Sequence, residues 1–242
     1  MVVADPTLDF ERSLLPGRHG VVIGCDEVGR GALAGPVAVG LCVVDVRRAS
    51  RVPKGLRDSK MLSEPRREEL APVAQAWGLA HAVGYASAEE IDTLGISHCL
   101  GLAGRRALVD LHTAGVDVLS ATIVLDGHWD WLSPVLSTPL TIRTRIKADR
   151  DCASVAAASV ISKVARDRMM IEHDSGYPVY GWARNKGYAS EEHRDAILSH
   201  GASELHRHTW LTKMLAAPAD AAPGDASGEA AGLAAPADAS AA

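Results

Sequence analysis

The chain has 242 residues, 47% hydrophobic but only 4% aromatic, so one good-sized core must be packed mostly by small aliphatic side chains. No signal peptide opens it and no apolar run is long enough to span a bilayer, which excludes secreted and membrane classes and predicts a cytoplasmic protein without a membrane partner. The formal net charge of −5 misleads: the last 27 residues hold Asp220, Asp225, Glu229 and Asp238 and no base, leaving 26 acids against 25 bases elsewhere, a balance that neither demands nor excludes nucleic acid.

Residues 1–19 read as a polar, irregular N-terminal arm, with Leu14-Leu15 placed to tuck onto the domain. The run Val21-Val22-Ile23-Gly24-Cys25 reads as a strand, and it meets two adjacent carboxylates, Asp26 and Glu27. Neighbouring strand residues point to opposite faces, so these acids diverge unless the strand ends or bulges there. Acids at the end of a buried strand are costly without a positive partner, and a hard divalent cation takes carboxylate oxygens. Gly29 and Gly31 allow close backbone approach, and Arg30 adds charge beside them. A plain Asp-Glu turn would look the same. A dinucleotide loop would also place glycines after a strand, but acids precede them here and Pro36 stands where its helix should run.

The run 35–46 predicts a hairpin partner to that strand, and 47–57 a basic loop ending at Asp58-Ser59-Lys60. A helix follows Ser63, then a third strand over 79–86. Ser87 and Glu90 fit a capping box. Two helical stretches come next, broken near Gly95, the second closing at Gly115. The strand 121–125 ends in Asp126-Gly127, and the strand 140–146 ends in Lys147-Ala148-Asp149. A strong helix runs from about Val155 to His173, its small residues suited to close helix–sheet contact and its polar face carrying Lys163, Arg166 and Arg168. Ser190 is placed to cap a helix up to His200. Residues 20–215 thus form the folded domain, and 216–242, rich in Ala, Pro, Gly and Asp, a disordered tail. Cys25, Cys42, Cys99 and Cys152 form no Cys-x-x-Cys pair and read as free thiols in a reducing compartment. His193, His200, His206 and His208 lack metal-ligand spacing and are assigned surface or phosphate-adjacent roles.

Asp26, Glu27, Asp126 and Asp149 all fall at or just past strand ends, which converge on one rim of an α/β sheet. Each alone has an ordinary reading: Asp126 as an Asp-Gly turn, Asp149 as a charge facing a helix dipole, with Asp151 equally placed. Four carboxylates together repel unless cations neutralise them, which suits a two-ion phosphoryl-transfer centre. One ion would acidify a water for attack and the other would stabilise the leaving oxygen; oxygen ligands favour Mg²⁺ or Mn²⁺.

With these residues assembled, the chain resembles prokaryotic type 2 ribonuclease H, ribonuclease HII. The matching motifs are DEVGRG at 26–31, GPV at 35–37, DSK at 58–60, LDG at 125–127, KAD at 147–149, AAASVISKVARD at 156–167, NKGY at 185–188 and HR at 206–207. The resemblance covers about 20–213. It implies an α/β, RNase H-like fold with a five-stranded mixed sheet flanked by helices and a helical C-terminal extension. It implies hydrolysis of the RNA strand of RNA–DNA hybrids and incision at ribonucleotides embedded in duplex DNA, leaving 5′-phosphate and 3′-hydroxyl ends; nothing in the sequence reveals a protein partner, and a monomer is the default. Asp26, Glu27, Asp126 and Asp149 match the metal-binding acids, Gly29-Arg30-Gly31 the motif that senses the ribose 2′-hydroxyl, and Tyr188 the tyrosine that packs on the sugar. Lys60, Lys163, Arg166, Lys186 and Arg207 are candidate phosphate contacts, though a solvated basic face explains most of them equally well. The chain departs from the family pattern at Ala148, where glycine is usual, at Asn185 and Ala189, where histidine and proline are usual, and in a longer 128–139 segment. Ala148 suits the position if its φ is negative. Trp129 and Trp131, two apart in that segment, would share one side if extended, as a stacking platform or, by preference, a packed loop.

Overall fold

A computed structural model describes residues 5–15, 20–49 and 51–216 of the chain; the expected tail lies outside the described residues beyond Ala216. Five strands form one sheet: β1 (Val22–Val28), β2 (Val37–Val44), β3 (Ala80–Ala86), β4 (Thr122–Asp126) and β5 (Thr141–Arg145), in the order β3-β2-β1-β4-β5. β2 runs antiparallel to both β1 and β3, while β4 lies parallel to β1 and to β5, giving a mixed sheet. The continuous apolar runs of β1 and β2 take the sheet's interior, where both faces are covered. β5, Thr-Ile-Arg-Thr-Arg, forms an outer edge, short and charged enough to discourage further pairing.

The helices are α1 (Asp9–Ser13), α2 (Glu64–Trp77), α3 (Ala88–Leu94), α4 (Ile96–Thr113), α5 (Ala148–Asp151), α6 (Ala153–Asp174), α7 (Trp182–Asn185), α8 (Glu191–His200) and α9 (His208–Ala216). α4 covers one face of the sheet, over a core that includes Ile23, Leu41, Leu100 and Ile123. α6, backed by α2, covers the other, over Val22, Val44, Val124 and its own alanines. The close approach expected of α6 is matched on the sheet by Gly24 and Gly40, where an added Cβ would stand 2.2 Å from the Ser154 carbonyl carbon and 2.5 Å from the Ala158 oxygen. A third, smaller core of Met170, Tyr180, Trp182, Ile197 and Leu211 joins the C-terminal helices to the end of α6.

Two expectations need correcting. The N-terminal arm is not irregular throughout: Thr7 pairs with Cys152, α1 follows, and Glu11 is fully buried, accepting hydrogen bonds from the Ser154 amide (2.9 Å) and hydroxyl (2.8 Å). The arm thus supplies a carboxylate to the start of α6, where free N–H donors favour negative charge. Nor does the first strand stop at its acids; β1 runs through them in regular register, Asp26 opposite Gly40 and Glu27 opposite Val39. The Ser87–Glu90 capping box and the break at Gly95 (φ +77°) form as expected.

Candidate active site

β1 and β4 are parallel, with Cys25 beside Leu125, so Asp126 emerges next to Asp26 at the same rim. Asp126 Oδ1 accepts the Ala148 N–H at 2.7 Å and the Asp149 N–H at 3.4 Å. That contact draws α5, and with it Asp149, onto the end of β4. The turn before α5 is made by Lys147 in a left-handed conformation (φ +60°); Ala148 has negative φ and is tolerated where glycine was expected. Asp26 and Asp149 are nearly buried, Glu27 and Asp126 partly so.

The electrostatics show that the acids share one field. Burial, then the charges of Glu27 and Asp126, push Asp26 well above the usual carboxylate range, against a hydrogen bond from Ser159. Glu27 is raised by burial although Arg30, 3.6 Å away, opposes the shift. Asp149 is raised to about 6 by burial and then by Asp126 and Asp58. Burial alone would lower Lys60, but the charges of Asp26, Asp58, Asp149 and Glu27 carry it above its ordinary value. Among the described residues no three His, Cys, Asp or Glu side chains are drawn together closely enough to hold an ion, so the four acids share a rim and a field without forming a closed cage. The donor set is all oxygen and short of positive charge, which fits hard divalent cations.

Beside the acids lies a cleft of about 440 Å³, lined by Glu27, Val28, Gly29, Arg30, Gly31, Ser59, Lys60, Lys163 and Tyr188. Lys60 is exposed there, held by Asp58, whose buried carboxylate caps the Ser59–Met61 turn and accepts the Lys60 N–H at 2.9 Å. Lys163 is half-buried, paired with Asp167 at 2.7 Å, and lies 5.3 Å from the Tyr188 ring centre.

The other three basic candidates do not face solvent. Arg166 and Arg207 are fully buried and Lys186 nearly so. Arg166 donates to the carbonyls of Pro36 (2.8 Å), Lys186 (2.9 Å) and Ala34 (3.1 Å). Arg207 donates to those of Gly29 (2.6 Å), Arg30 (2.8 Å) and Gly35 (3.1 Å). Lys186 turns back to the Ala183 carbonyl and Glu64. A donor committed to buried carbonyls is not available to a phosphate, so the expected basic face shrinks to Lys60 and Lys163. The surface role assigned to the histidines fails for two of them. His193 and His206 are fully buried, their Nε2 atoms 3.1 Å apart, with Trp182 Nε1 donating to His193 at 3.0 Å and His193 Nδ1 reaching the Tyr188 carbonyl at 2.8 Å. The two tryptophans of the 128–139 segment part company: Trp131 is buried against α4, and Trp129 is half exposed.

Sequence reasoning overlooked Asp58 as a member of the charge cluster, and the pair Ser59–Ser159, whose hydroxyls sit 2.9 Å apart under Asp26. The DSK motif was the available signal for the first two. Nothing in a run of alanines marks Ser159 as different.

A sequence model of ribonuclease HII matches residues 23–213. The chain is 44% identical over 206 residues to ribonuclease HII of Streptomyces avermitilis, covering 85% of this chain and 83% of that protein. It is 42% identical over 208 residues to ribonuclease HII of Caulobacter vibrioides, covering 84% and 90%. The crystal structure of ribonuclease H2 from Pyrococcus horikoshii superposes with a TM-score of 0.63 at 27% identity, covering 78% of this chain and 93% of that one. Acids brought to one rim by β1, β4 and α5, a five-stranded mixed sheet and this match along most of the chain agree: the protein belongs to the ribonuclease HII family, and is a ribonuclease H, an endonuclease acting on RNA–DNA hybrids.

Proposed function

We propose that this endonuclease also incises duplex DNA at single embedded ribonucleotides, using divalent cations held by Asp26, Glu27, Asp126 and Asp149. The observation that carries the reading is the junction of two unlike surfaces. An acidic rim, where burial and neighbouring charge push Asp26, Glu27 and Asp149 toward protonation, adjoins a cleft lined by the exposed residues Arg30 and Gly31. Bound at the acids, two Mg²⁺ or Mn²⁺ ions supply activation of the attacking water and neutralisation of charge on the leaving oxygen. The protein's own groups do the selecting. Lys60 and Lys163 attract the phosphate backbone. Tyr188 lines the cleft and offers its ring to a sugar, and the 29–31 backbone offers hydrogen-bond partners to a 2′-hydroxyl, the group that separates RNA from DNA. The products are a 5′-phosphate and a 3′-hydroxyl.

The test is cleavage of a DNA duplex carrying one ribonucleotide, with Mg²⁺ and Mn²⁺ compared. Incision at that nucleotide supports the reading. Activity confined to long RNA–DNA hybrids refutes the embedded-ribonucleotide part, and full activity in chelator refutes the metal part.

A further inference from the structure

We infer that Arg207 is a positioning residue for ribose discrimination: from inside the protein it aims the Arg30 and Gly31 N–H groups into the cleft. The inference deepens the reading above and rests on the cleft accepting a ribose.

Arg207 is fully buried, yet its guanidinium ends on the carbonyls of Gly29 and Arg30, at 2.6 and 2.8 Å. In a planar trans peptide the C=O of one residue and the N–H of the next point in opposite directions. Pulling the Gly29 carbonyl inward therefore turns the Arg30 N–H outward, and pulling in the Arg30 carbonyl does the same for Gly31. Neither N–H finds an acceptor among the described residues. Both belong to residues that line the cleft, and a Cβ added at Gly31 would meet nothing within 4 Å. Two adjacent outward donors suit a hydroxyl oxygen held at the loop.

The rest of the loop is fixed by the same means. Arg166 holds the carbonyls of Ala34 and Pro36, and its side chain lies where a Cβ on Gly29 (φ +81°) would fall, 2.1 Å from Nε. Arg207 is itself anchored: its N–H donates to the Leu33 carbonyl at 2.8 Å, its guanidinium lies 4.8 Å over the Trp210 ring, and Asp92 caps the helix that follows through His208 and Thr209. A lysine here would keep the charge, but its single ammonium cannot hold the same fork of carbonyls.

The experiment measures the affinity of wild type and Arg207→Lys for a duplex with one ribonucleotide and for the same duplex in DNA, with Ca²⁺ in place of the active metal, alongside thermal unfolding. The expected result is a preference for the ribonucleotide reduced on the order of 10–100-fold, with affinity for plain DNA unchanged. A folded Arg207→Lys that keeps the wild-type preference overturns the inference. If wild type itself shows no preference, it is the ribose reading that fails. Should Arg207→Lys not fold, amide NMR of the wild type decides: the ribonucleotide duplex must shift the Arg30 and Gly31 N–H signals beyond what the DNA duplex does, and equal shifts overturn the inference.

Discussion

Asp126 serves the rim in two ways, and a conservative substitution separates them. Its Oδ1 accepts backbone N–H groups that seat α5, and its charge belongs to the acidic field. Asp126→Asn keeps a carbonyl oxygen for the N–H groups but removes the charge. The fold and duplex binding should survive while cleavage falls on the order of a hundredfold or more; near-wild-type turnover in Mg²⁺ would remove Asp126 from the centre. Asp26, Glu27 and Asp126 stood out in the sequence because they break apolar runs; that β1 continues through its acids and that α5 carries Asp149 did not. Nor did the burial of Arg166 and Arg207. A sequence shows an arginine on a helix or in a loop, but not whether its donors are spent on carbonyls, most of them here 130 to 178 residues away. The same blindness misplaced His193 and His206, whose partners include a tryptophan and each other.

Among elements, the helix α6 and the strands under it set the tightest tolerance. Gly24→Ala would force a methyl against the backbone at Ser154, 2.2 Å from its carbonyl carbon, and should cost about 3 kcal/mol in denaturant unfolding; an unchanged midpoint would show that α6 can shift aside. The loop from α7 to α9 depends instead on neutral imidazoles. Burial lowers His193, and burial with the nearby His193 lowers His206 to about 4, against an ordinary value of 6.5. Neutral rings are favoured in the fold, so their contribution is full above pH about 6.5 and is lost as the pH falls toward about 4. Following the His206 ring by NMR checks this: the expected midpoint is well below 6.5, and a midpoint at 6.5 would contradict it. Most elements were readable from periodicity, glycine breaks and the Ser87 cap. α1 was not, because five residues without a side-chain cap leave no pattern, and Glu11 reads as a surface charge until Ser154 is brought to it.

For the molecule as a whole, raised carboxyl pKa values mean that ionising the rim opposes folding. Asp26, Glu27 and Asp149 contribute their repulsion once the pH exceeds their ordinary values near 4, and for Asp149 the cost is complete only above about 6. Divalent cations should therefore raise the melting temperature more at neutral than at acidic pH. At a hundredfold excess over Kd the gain is about 2.7 kcal/mol, roughly 5–10 °C for a chain this size. A pH-independent shift in differential scanning would place the ions elsewhere. The mixed five-stranded sheet with its flanking helices followed from the family resemblance, whereas the strand order and the third core were not readable, the latter because its members come from short segments without periodicity. Arg207 follows the carbonyls it holds by 177 and 178 residues. During translation every rim acid leaves the ribosome before that arginine is made. A growing polypeptide thus owns its carboxylates early and gains the brace on its 29–31 turn almost last, so termination before Arg207 yields a chain with every rim acid and an unbraced turn.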